Sequence, residues 1–68
     1  MAKKVYEVIE LLEANDWVYQ RTNGDHHIFM KVGARRPVPI PGKRNDEVPA
    51  GTLNAILRET GLKFQEYA

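Results

Sequence analysis

Thr22-Asn23-Gly24-Asp25-His26-His27-Ile28-Phe29-Met30-Lys31 is the stretch that decides how this 68-residue chain folds. Asn-Gly between two strand-like runs is a hairpin signal, because both residues tolerate positive φ. The run after it therefore starts a strand at His26. Side chains along a strand alternate between its two faces. His26, Ile28 and Met30 share one face, and His27, Phe29 and Lys31 share the other. The two histidines of the chain thus point in opposite directions, and at most one of them sits at a given reactive site.

Upstream of the turn, Trp17, Val18 and Tyr19 favour a strand over residues 17–22, with Trp17 expected as a core anchor. Before it, Val5, Val8, Ile9 and Leu12 recur at helical spacing and predict a helix over 3–15, stopped at Asn15-Asp16. Its apolar stripe is expected to pack on a sheet. Downstream, the strand begun at His26 runs to residue 32, Gly33-Ala34 turns the chain, and a third strand follows at 35–40. Val38 and Ile40 lie on one face of that strand, alternating with Pro37, Pro39 and Pro41. Proline cannot donate to a ladder, so this strand is either an edge or turns its prolines away from the pairing side. Residues 41–49 carry turn formers without periodicity and predict a crossing loop. Leu53, Ile56 and Leu57 mark a second helix over 50–60, begun near Pro49 and ended at Gly61. Leu62 is expected beside it, and the spacing of Phe64 and Tyr67 predicts a last short turn on the core.

The order is helix, three antiparallel strands, helix. Short connections force the strands into a meander, and both helices must cover one sheet face. The expectation is a single two-layer α+β domain spanning residues 1–68, with the other sheet face open to a ligand.

Composition narrows the function. There is no cysteine, hence no disulfide framework and no thiolate metal site. No apolar run approaches the roughly 18 residues of a membrane span. Met1-Ala2-Lys3-Lys4 leads into an amphipathic pattern rather than an apolar signal core, so a cytoplasmic protein is expected. Net charge is only +1, but Lys31, Arg35, Arg36, Lys43 and Arg44 are half of the ten basic residues, and no acid lies between positions 26 and 45. A local patch of one sign attracts phosphate even on a nearly neutral domain, although such residues can equally be solvated turn positions.

A histidine can take and return a proton near neutral pH. RNA carries its own nucleophile, the 2′-hydroxyl, so a histidine with Lys or Arg suffices in type to cleave it without metal or cofactor. His26 with Lys31, Arg35, Arg36, Lys43 and Arg44 offers that set. His26, His27 and Asp25 do not form a metal site, because the two imidazoles diverge across the sheet. The bland alternative is that both histidines are satisfied polar residues on a half-exposed hairpin. A non-catalytic RNA-binding module and a protein-interaction adaptor also remain open at this level.

The helix before Trp17, then Gly24-x-His26-His27-Ile28-Phe29, Val38-x-Ile40-Pro41, and Gly51-Thr52-Leu53-x-x-Ile56-Leu57-x-x-x-Gly61-Leu62 together resemble HicA, the toxin of a bacterial toxin–antitoxin pair. The resemblance spans nearly the whole chain. It implies a fold similar to a double-stranded-RNA-binding domain, an mRNA interferase activity that arrests translation, and neutralisation by a HicB-like antitoxin. It places catalysis on His26, with Phe29 as the aromatic that follows it and His27 as a substrate contact. Two positions depart from the family pattern. Asp25 stands where serine is usual, and its carboxylate would repel phosphate. Lys43 stands where a second histidine often lies. The departures leave an inactivated HicA-like protein as an alternative to an active toxin.

Overall fold

A computed structural model describes residues 2–64. The elements run β1 (Lys3–Lys4), α1 (Val5–Ala14), β2 (Val18–Asn23), β3 (His26–Met30), β4 (Val38–Pro41), β5 (Glu47–Val48) and α2 (Ala50–Thr60). Strands β2, β3 and β4 form one antiparallel sheet in sequence order. The α+β class and the helix–three strands–helix order read from the sequence hold. Tyr67 lies outside the described residues, whereas Leu62 and Phe64 pack against the core as partly buried side chains.

The core forms on one sheet face. Val5, Val8 and Leu12 of α1 and Leu53 and Ile56 of α2 are buried with Phe29, Val38 and Ile40 of the sheet. Both helices therefore cover the face that carries Phe29. Trp17 joins the cluster as the anchor that follows α1. Burying each such large apolar side chain contributes roughly 1.5–3 kcal/mol, which is the main asset of a domain too small for a deep interior. Ile28, on the opposite face, is buried yet stands outside this cluster.

The ends of the elements follow their residue types. Asp16 takes the left-handed conformation (φ 71°), and Trp17 N–H closes back onto the Leu12 carbonyl at 3.0 Å, ending α1 in a Schellman motif. Gly61 ends α2 at φ 73°. β4 is an edge strand, as its prolines allow, with Val38 and Ile40 inward and Pro39 exposed.

Three local readings are corrected. The hairpin turn falls one residue later than Asn23-Gly24: Asn23 pairs with His26, so Gly24-Asp25 is the two-residue loop, with positive φ only at Gly24 (62°). That is the type II′ pattern, which asks for glycine at its first central position. Residues 41–49 are not wholly a loop, because Glu47–Val48 pairs antiparallel with Lys3–Lys4. Lys3-Lys4 is accordingly a strand rather than the first turn of α1. Beyond these three, β2 carries a bulge at Gln20, where the register shifts between Tyr19 and Arg21.

Candidate active site

The β2–β3 hairpin sends its two histidines to opposite sides. His26 is exposed on the open face in line with Ile28 and Met30, between Asn23 of β2 and Pro41 of β4. Its position immediately after a tight turn, on a central strand paired on both sides, fixes its backbone while leaving the ring in solvent.

His27 faces the helix side together with Phe29, opposite Ile40 and Thr22. It is half-buried, and its Nε2 lies 2.9 Å from the Gly42 carbonyl. A carbonyl oxygen only accepts, so Nε2 is the donor. The ring lines a cleft of about 250 Å3 with Thr22, Asp25, Lys43 and Arg44. Thr22 reaches this side because the Gln20 bulge restores it to the face of Tyr19, whose hydroxyl lies 2.6 Å from the Thr22 hydroxyl.

The five cations singled out in the sequence fall into two groups. Lys43 and Arg44 are exposed at the turn end of the hairpin and line the His27 cleft. Lys31, Arg35 and Arg36 line a hollow of about 500 Å3 at the other end, beside the Lys31–Ala34 turn. The structure therefore does not gather all five around His26. Arg36 is also engaged: its guanidinium donates to the Glu59 carboxylate at 2.8 Å. Trp17 forms part of the same hollow, and its buried Nε1 has no hydrogen-bond partner among the described residues.

Two acids shape the site. Asp25 is exposed in the turn itself and lines the His27 cleft. Asp46 is turned inward on its own loop, accepting the Lys43 N–H at 3.0 Å. The residues not anticipated from sequence are Thr22, Gly42, Asp46 and Glu59. Asp46 had a local signal, an acid three positions after the residue whose N–H it caps, as in the reach-back half of a capping box. Glu59 had none, standing 23 residues from Arg36. Among the described residues no group of three or more His, Asp or Glu is placed to hold a metal ion. Nor is any described helix long and apolar enough to cross a membrane.

A small α+β domain with an exposed histidine on its open sheet face and cations at both ends of the hairpin suits a ligand rich in phosphate. The family model described as the HicA toxin of bacterial toxin–antitoxin systems matches residues 5–62. No curated protein matches the chain. The chain belongs to the HicA toxin family, and as such it is a toxin paired with an antitoxin partner.

Proposed function

We propose that this toxin is an endoribonuclease that cleaves single-stranded regions of mRNA without metal or cofactor, in the cytoplasm, until a HicB-like antitoxin covers it. His26 acts as general base. It takes the proton of the ribose 2′-hydroxyl, the 2′-oxygen attacks the adjacent phosphorus, and the bond to the 5′-oxygen breaks. The products are a 2′,3′-cyclic phosphate and a free 5′-hydroxyl, whose proton the imidazolium returns. Lys43 and Arg44 at one end of the hairpin, and Lys31, Arg35 and Arg36 at the other, hold backbone phosphates of the bound strand. A single strand fits this chemistry because a flexible ribose can swing its 2′-hydroxyl into line, which a duplex resists.

The observation that supports the reading best is the exposure of His26 on a rigid central strand, opposite the residue that leads into the Lys43–Arg44 loop. The test is digestion of a single-stranded RNA by purified protein in the presence of a chelator. Fragments ending in a cyclic phosphate support the proposal, and uncut RNA that is nevertheless bound with steep salt dependence leaves a non-catalytic RNA binder.

A further inference from the structure

The loop Gly42–Asp46 presents Lys43 and Arg44, and it is held at every side. Gly42 N–H donates to the Asp25 carbonyl and Asp46 N–H to the Lys43 carbonyl, each at 2.9 Å. The Asp46 carboxylate accepts the Lys43 N–H. Val5 and Tyr6, the first residues of α1, donate to the carbonyls of Asp46 and Arg44 at 2.9 and 3.1 Å. The loop thus satisfies two N–H groups that a helix start leaves unpaired. Gly42 sits at φ 94°, where a Cβ would come within 3.4 Å of both Asp46 and Val5.

One contact in this set comes from a side chain on another element. His27 reaches across 15 residues of sequence to donate its Nε2–H to the Gly42 carbonyl. Without it, that half-buried carbonyl would lose its partner at the point where β4 gives way to the cationic loop. The same ring lines the cleft over which Lys43 and Arg44 stand. The cleft, at about 250 Å3 and with Thr22 and Asp25 on its wall, has room for one phosphate group, which the two cations Lys43 and Arg44 hold against the repulsion of the single Asp25 carboxylate.

We infer that His27 is a positioning residue: by tethering the Gly42 carbonyl it sets Lys43 and Arg44 over the cleft, where they take one backbone phosphate of the RNA strand. This rests on the nuclease reading for its substrate, but not for the tether itself. Two adjacent histidines then divide the work. His26 meets the ribose on the open face, and His27, turned through the sheet, orders the cations that grip the strand.

The test compares His27→Met with His27→Gln. Both replacements are unbranched and of similar length, but only glutamine carries an amide donor able to reach where Nε2 stands. Two quantities are measured: the backbone amide resonances of Gly42–Asp46 in the free protein, and KM and kcat on a single-stranded oligoribonucleotide. His27→Met is expected to shift the loop resonances and raise KM about tenfold, the scale of one lost hydrogen bond, while kcat stays within about twofold. His27→Gln is expected to restore both. A fall in kcat at constant KM would put His27 in the chemistry, and unchanged loop resonances would remove the tether; either result overturns the inference. If His27→Met does not fold, His27→Gln alone still decides, since displaced loop resonances or a raised KM in that variant contradict a donor role. Should wild-type protein bind the RNA but leave it uncut, the same comparison is read from Kd, so the nuclease reading can fail while the tether stands. Absence of any RNA affinity in the wild type overturns the phosphate role given to Lys43 and Arg44 together with the nuclease reading.

Discussion

His26 stands directly opposite Pro41 across the β3–β4 ladder, two residues before Lys43. This pairing puts an exposed imidazole beside the start of the cationic loop without burying either. Since the His26 side chain contributes nothing to the core cluster, His26→Ala is expected to leave stability within about 0.5 kcal/mol of wild type. Loss of a general base costs about 10²–10⁴-fold in rate. Fragment release from a labelled single-stranded RNA should fall by that factor, while circular dichroism and the thermal midpoint stay in place. A folded variant that cuts at the original rate removes His26 from the mechanism.

Phe29 and Val18 test the division of the sheet into two faces. Phe29 is 1% exposed on the helix side, and Val18 is 64% exposed on the other. Phe29→Ala should cost about 3–5 kcal/mol through lost burial and the cavity left behind. A chain of this length has roughly 3–10 kcal/mol of stability in all, so the variant should be largely unfolded near body temperature. Val18→Ser should stay within about 0.5 kcal/mol. Urea titration of both variants checks the pair, and equal costs would contradict the layer arrangement.

Periodicity made the layers legible, and its absence hid the rest. Val5, Val8 and Leu12 repeat at helical spacing over a whole helix, and all are buried. Val38 and Ile40 alternate with prolines, which allowed an edge strand or one whose prolines face away from the pairing side, and the strand forms at the edge. The alternation of His26 and His27 likewise foretold that the two rings part across the sheet, but not which of them meets solvent. The Lys3–Lys4 ladder with Glu47–Val48 is two residues long on each side, too short for any alternation to register. The bulge at Gln20 depends on which residues oppose it, a property of the partner strand rather than of Gln20. The separation of Lys43 and Arg44 from Lys31, Arg35 and Arg36 was equally hidden. Nearness in sequence joined them, but β4 carries the chain back along the hairpin and parts them in space.

Gly24 and Gly51 have the same open surroundings but opposite backbone demands. Neither has an atom within 4 Å of where a Cβ would be placed. Gly24 sits at φ 62° in the turn before His26, whereas Gly51 lies within α2 at an ordinary helical position. Gly24→Ala should therefore cost roughly 1–2 kcal/mol from backbone strain alone. Gly51→Ala should gain about 0.4–1 kcal/mol by restricting the unfolded chain. For a domain of this size each kcal/mol moves the thermal midpoint by roughly 4–8 °C. Calorimetry should show the two shifts with opposite signs, and a destabilised Gly51→Ala would contradict the helical placement.

Among the described residues Glu59 is the one carboxylate in the hollow with Lys31, Arg35 and Arg36, and it holds Arg36 in an exposed ion pair at 2.8 Å. The side chains of Arg36 and Glu59 are 75% and 37% exposed, so the pair adds little to stability. Its effect on an incoming phosphate is larger in sense than in size, because it neutralises a cation that would otherwise make a backbone contact. Glu59→Gln keeps the shape and removes the charge. RNA affinity should rise about two- to fivefold at low salt, the scale of one exposed charge pair. The slope of log K against log salt should steepen by about 0.7 if Arg36 gains one phosphate of a single strand. Fluorescence anisotropy over a salt series reads both quantities on the same RNA. An unchanged slope with unchanged affinity would take this hollow out of the RNA path and leave the Lys43–Arg44 cleft as the phosphate site.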